Sequence, residues 1–180
     1  MAASPRPTIR SNRPNTPSRK FAPAVEAANN WGTYVTVHAY TPRAIRQALA
    51  AGVKCIEHGH LIDEPTAKLL ADKGIWWSLQ PLLADDDLLA TLDPASQKKA
   101  KQVFAGTDNA YKLATKYKAK TAFGTDALFD AKIAARQGAM LAKLVRWYTP
   151  AEALRMATAD NGELMALTGF INPIPASWAW

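Results

Sequence analysis

The sequence predicts an α/β fold, namely a partial (β/α)8 barrel of TIM type with about four parallel βα units behind a disordered N-terminal tail. Three observations carry this. Short β-branched or aromatic runs alternate with helical patterns from residue 21 onward. The first three strand-like runs start about 20 residues apart, a spacing normal for a β/α barrel and tight for a doubly wound sheet. Hydrophobic residues make up 48% of the 180, enough for one core-bearing domain. A small open four-stranded α/β sheet is the alternative architecture.

Residues 1–20 have no hydrophobic period, four prolines and five basic residues (Arg6, Arg10, Arg13, Arg19, Lys20) without an acid. Such a stretch buries too little apolar surface to offset the entropy of ordering it, so a disordered tail is expected. Most of the net charge of +7 sits there. The rest of the chain is nearly neutral and carries no aromatic-basic motif, which argues against specific nucleic-acid binding. The tail is Arg-rich like an organelle transit peptide, but its prolines oppose the amphipathic helix such peptides form. It has no apolar segment of the secretory kind. No apolar run approaches the ~20 residues a membrane helix needs. The single cysteine, Cys55, excludes an intrachain disulfide and fits a cytoplasmic location.

The elements follow in order. AVEAANN (24–30) is a short helix ending near Gly32. TYVTVHA (33–39) is the first strand. Pro42 opens the helix PRAIRQALAAG, with Gly52 as its stop. VKCIEHG (53–59) is the second strand. Asp63 is the N-cap of DEPTAKLLADK, closed by Gly74. IWWSLQ (75–80) is the third strand, with Trp76 and Trp77 on opposite faces. An acidic loop with Asp85, Asp86 and Asp87 follows. Residues 94–118 are helical with an expected break near Gly106, and KTAFGTD (120–126) is the fourth strand. Residues 131–147 read as one helix with an apolar face of Ile133, Met140, Leu141, Leu144 and Val145. Thr149 and Glu152 form a capping pattern for another. The domain is expected over 21–172, with an irregular end at 173–180.

Active sites of β/α folds lie at the C-terminal ends of the strands. His38, His58, Gln80 and Asp126 stand there. Two imidazoles and a carboxylate at equivalent places in separate units form a candidate site for zinc or a similar divalent ion. Taken singly, each has an ordinary reading: a hydrogen-bonded structural histidine, or an aspartate capping a helix. His60 and Tyr40 are weaker candidates, together with Gln80, for a substrate pocket. Gly106-Thr107-Asp108 repeats the letters of Gly124-Thr125-Asp126 but follows no strand, so it reads as a helix interruption or N-cap.

The segments VTVHA, AGVKCIEHGHLID and AFGTDA, with WYTPAEALRMATADNGELMAL further on, resemble strands five, six and eight of the amidohydrolase superfamily and its final helix. The nearest likeness is to the imidazolonepropionase and Xaa-Pro dipeptidase-like branch, over roughly residues 24–172. The resemblance implies the C-terminal half of a barrel. It also implies a divalent metal, zinc by preference, held by His38 and His58. Asp126 would bind metal or act as general base and then general acid, and the reaction would be hydrolysis of an amide, lactam or dipeptide-like bond in a small molecule. The family's first-strand His-x-His pair and fourth-strand lysine have no counterpart here, so a truncated, catalytically inactive fragment or a self-associating half-barrel is the alternative. A half-barrel is expected to leave two open strand edges, at Val35/Val37 and at Ala122/Phe123. It should also expose inner-face side chains such as Ile56, Trp76 or Trp77, and Phe123, favouring a homo-oligomer.

Overall fold

The computed structural model describes residues 18–84, 86–90, 92–127 and 131–169. The expectations for residues 1–17, for Asp85 and for the end at 173–180 lie outside the described residues. Helix α1 spans Ser18–Asn30 and so begins inside the stretch read as tail. Strand β1 (Thr36–Ala39) is followed by α2 (Pro42–Ala51), β2 (Cys55–His58) and α3 (Glu64–Asp72). Next come β3 (Trp76–Leu79), the short α4 (Asp86–Ala90), the long α5 (Pro94–Lys116) and β4 (Thr121–Phe123). The four strands are parallel and in the order β1-β2-β3-β4, each pairing with its sequence neighbour. This is the succession of parallel βα units expected from the sequence.

Local chemistry sets the helix starts as predicted. Asp63 accepts a hydrogen bond from the Thr66 amide, and Thr149 with Glu152 forms a complete capping box. The core lies between the sheet and its helices. Ile56, Trp77 and Leu79 pack there with Ile45, Leu49, Leu70 and Tyr111. The opposite sheet face carries a smaller cluster of Cys55, Trp76 and Ala122, covered by Leu164 and Tyr34. The two tryptophans therefore do face opposite ways.

Three expectations are corrected. First, α5 runs unbroken through Gly106. The glycine is there for a close approach: a Cβ would stand 2.2 Å from the His60 carbonyl oxygen. Second, residues 131–147 are not one helix. They divide into α6 (Ala131–Ala134), α7 (Gln137–Ala142) and a 3-10 turn at Lys143–Arg146. The tighter turn changes the angular spacing, so Leu144 enters the core while Val145 is 56% exposed. Third, most of the side chains expected on an exposed inner wall are not on that wall: Ile56 and Trp77 are fully buried on the helix side, and half-buried Phe123 packs against the same core. Of the inner-face residues, Trp76 is 5% exposed beneath Leu164 and Tyr34, whereas Thr36 and His38 on β1 are exposed.

The β4 edge is not open either. Helix α8 (Pro150–Arg155) leads into a wide π-helical turn, Met156–Asp160, that packs against β4 and delivers Asn161 at the start of α9 (Asn161–Ala166). Trp77 N–H donates to the Lys120 carbonyl, so in β4 the backbone of residues 120, 122 and 124 faces β3 while that of 121 and 123 faces away. The Asn161 side chain meets this outer edge. Its Oδ1 accepts from Phe123 N and its Nδ2 donates to Phe123 O, both at 2.9 Å. One amide thus does at Phe123 what a neighbouring strand would do. On β1 the outer edge, at Thr36 and His38, has no strand partner among the described residues.

Candidate functional site

Strand alternation puts Thr36 and His38 of β1 on the same face as Cys55 and Glu57 of β2, and the Thr36 hydroxyl donates to Glu57 Oε1 at 3.1 Å. By the same alternation His58 would follow Ile56 to the helix side. It does not, because its backbone is left-handed (φ 75°), and Gly59 follows in the same region (φ 69°). Glycine is required at 59: a Cβ would come within 2.4 Å of Trp77 Nε1, which donates to the His58 carbonyl at 2.8 Å. The turn brings His58 Nε2 to 2.8 Å from His38 Nδ1. Two candidates from different strands are therefore joined directly.

Their surroundings are dense. Tyr40 stacks on His58 with ring centroids 4.4 Å apart. Gln80, 3% exposed, places Oε1 2.8 Å from His58 Nδ1, and its Nε2 donates to the Ser78 carbonyl at 3.2 Å. His60 is fully buried, and its Nε2 donates to the Gln80 carbonyl at 2.9 Å. Burial pushes the His60 pKa down to about 4, so this ring is neutral, and its Nδ1 has no hydrogen-bond partner. His60 and Gln80 do not line the cavity described next. Of the three pocket candidates only Tyr40 does.

That cavity, about 510 Å³, adjoins the histidine pair through Tyr40, which lines it and stacks on His58. Leu61, Leu82, Leu92, Val103 and Phe104 form apolar walls, Lys99 brings a cation, and Tyr40 and Asp126 supply polar atoms. The carboxylate of Asp126 and burial both raise the Tyr40 pKa, burial being the larger cause. Asp126 has a left-handed backbone (φ 54°) and, with His58 and Lys118, makes up the three non-glycine residues of that kind among the described residues. Two of the three are site candidates, in keeping with the tendency of strained residues to gather at functional sites.

The expected three-ligand set is not assembled. Among the described residues no three His, Cys, Asp or Glu side chains stand close enough to hold a metal ion. Asp126 belongs to the cavity wall with Tyr40, apart from the His38–His58 pair. The pair still fits an ion in chemistry: His38 Nδ1 and His58 Nε2 face each other at 2.8 Å across one shared proton, and loss of that proton would leave two imidazole nitrogens directed at the same place. The other aspartate of the repeated Gly-Thr-Asp letters, Asp108, lies inside α5 and is structural. Arg146 binds it through Nε at 2.7 Å and Nη2 at 2.8 Å, and Trp147 Nε1 donates to it at 2.8 Å. The Arg146 guanidinium holds its pKa down to about 2. Sequence reading missed Asn161 and the supporting role of Gln80. Only the position of Gln80 at a strand end pointed to the latter.

Among known proteins, the amidohydrolase family model matches residues 12–173. No curated protein matches the chain. Among solved structures, an amidohydrolase is 32% identical with a TM-score of 0.75, covering 83% of this chain and 37% of that one. A prolidase crystallised with N-methylphosphonate-L-proline is 29% identical with a TM-score of 0.75, covering 88% and 39%. The ochratoxinase of A. niger is 25% identical with a TM-score of 0.70, covering 90% and 38%. The chain thus spans less than two-fifths of the length of these structures.

Proposed function

The chain belongs to the amidohydrolase family, and from that premise we propose that it carries the histidine pair and the proton-transfer carboxylate of a metal-dependent hydrolase. Its substrate would be a small molecule with an amide, lactam or dipeptide-like C–N bond. The observation that carries this reading is the His38–His58 pair, held at 2.8 Å beside a cavity that also contains Asp126. The prolidase among the similar structures favours the dipeptide-like end of the range.

His38 and His58 would hold the ion, zinc by the chemistry of imidazole donors. When bound, the ion supplies a polarised scissile carbonyl and an acidified water. Asp126 takes the proton of the attacking water and returns it to the leaving nitrogen. The walls of Leu61, Leu82, Leu92, Val103 and Phe104 seat the apolar body of the substrate and exclude bulk water. Lys99 makes no ion pair among the described residues, and it suits an acidic group at one end of the substrate.

Elemental analysis of the purified chain, beside a His38→Ala/His58→Ala double variant, tests the reading. One divalent ion per chain, lost in the variant, is expected; the same metal content in both would refute it. Hydrolysis of a panel of N-acyl amino acids and dipeptides tests turnover separately. A second reading, association without turnover, draws on the lack of a three-ligand cluster among the described residues. Defined oligomers in light scattering with no hydrolysis would support it. No described helix is long and apolar enough to cross a membrane.

A further inference from the structure

The hydrogen-bond chain from Ser78 through Gln80 to the two histidines has a fixed direction, and that direction determines where the ring protons sit. A carbonyl oxygen can only accept. The Ser78 carbonyl therefore faces the amide nitrogen of Gln80, 3.2 Å away, and sets which end of the Gln80 side chain points where. The oxygen end, Oε1, then faces His58 Nδ1 at 2.8 Å. An amide oxygen also only accepts, so His58 Nδ1 carries the ring proton and His58 Nε2 keeps a bare lone pair. His38 Nδ1 stands 2.8 Å from that lone pair, so it is His38 that donates, leaving His38 Nε2 bare as well. The Gln80 backbone carbonyl takes the Nε2 proton of His60, which fixes the third histidine in the opposite tautomer.

We propose that Gln80 is a positioning residue. It selects the Nδ1–H form of His58, so that Nε2 carries no proton of its own and turns its lone pair toward His38 and the site; only the shared His38 Nδ1 proton has to leave for both nitrogens to meet one ion. Burial makes the selection firm, since Gln80 is 3% and His58 4% exposed and water has little access to replace the contact. Tyr40, stacked on the His58 ring, limits its rotation. The proposal rests on the metal-site reading for its purpose, but not for its geometry. A histidine backed by an acceptor is the usual way a protein orients such a ligand and raises its basicity. Here the acceptor is a neutral amide whose own orientation is set by a strand carbonyl two residues earlier.

The chain has three histidines, so ring-nitrogen spectra can be assigned with single substitutions. Long-range proton–nitrogen correlation on labelled, metal-free protein, above the pH of imidazole titration, reads each tautomer directly. The wild type is expected to show His58 as Nδ1–H and His60 as Nε2–H. Gln80→Leu keeps the bulk but cannot accept; His58 should lose its single tautomer, and zinc affinity, measured by competition with a chelating dye, should fall ten- to hundredfold. Gln80→Glu can still accept from Nδ1–H and should keep the His58 tautomer and, through it, the zinc affinity, but its second oxygen opposes the Ser78 carbonyl and should lower thermal stability. A merely structural role would lower thermal stability in Gln80→Leu without changing the His58 tautomer. The proposal is overturned if wild-type His58 is found as Nε2–H, or if Gln80→Leu leaves its tautomer unchanged. Should Gln80→Leu not fold, the wild-type and Gln80→Glu spectra decide alone. The expected tautomers in a chain that takes up no zinc would refute the metal reading and leave the Gln80 assignment standing.

Discussion

Replacing Asn161 with alanine tests whether one side chain closes the edge of the sheet. Two good hydrogen bonds are lost, to Phe123 N and Phe123 O, each 2.9 Å long, together with a long contact to the Ala157 carbonyl at 3.5 Å that adds little. At about 1 kcal/mol each, the loss is about 2 kcal/mol. Alanine at the start of α9 regains roughly 0.5 kcal/mol of helix propensity, so the net loss should be about 1.5 kcal/mol. Phe123 is only half-buried, so water can partly satisfy the freed groups and the larger penalty for a sealed orphan does not apply. Asn161→Asp separates hydrogen bonding from packing. One carboxylate oxygen can accept from Phe123 N, but the other then opposes the Phe123 carbonyl, so aspartate should be no better than alanine. Urea denaturation is the assay, with the midpoint shifting at constant slope. Light scattering on the same samples should show new concentration-dependent association as the freed edge becomes available for strand pairing. An alanine loss below about 0.5 kcal/mol, or an aspartate variant as stable as the wild type, would refute the edge-closing role.

Two further outcomes are expected. Gly106→Ala should destabilise the chain by about 2 kcal/mol in thermal or urea unfolding, although alanine is the better helix former, because its Cβ would meet the His60 backbone oxygen at 2.2 Å; a stabilised variant would show that α5 can move away from the β2 turn. Asp108→Asn should alter the acid limb of stability: the folded pKa of about 2 lies below the ordinary 3.8, so the Asp108 contribution is present above about pH 4 and lost as pH falls toward 2. With Asp108 36% and Arg146 55% exposed, solvent screening keeps that contribution under about 1 kcal/mol, and wild-type and variant stability curves should converge below pH 3 rather than run parallel.

Much of the fold was readable from the residues alone, and the reason is that its signals are local. TYVTVHA, VKCIEHG and IWWSLQ are β-branched or aromatic runs, and Asp63, Thr149 and Glu152 cap helices through atoms three residues away. A regular βα repeat then forces parallel strands, and parallel strands place His38, His58, Gln80 and Asp126 at one rim. What tertiary structure decided are the contacts that depend on backbone exceptions and on distant segments. No two-residue period foretells that His58 turns left-handed and so crosses to His38 instead of following Ile56. Asp126, left-handed in its turn, joins the Tyr40 side of the cavity and not the histidine pair, although its letters match a ligand position. Gly106 looks like a helix breaker because propensity weighs only its own turn, whereas its neighbour is the His60 carbonyl, 46 positions earlier in the sequence. Asn161 and Phe123 meet across 38 residues, by way of a π-helical turn that no helical period predicts. Strand and helix identity arise from interactions within a turn or a pleat. Which lone pair faces which proton depends on how whole elements pack, and only the assembled chain specifies that.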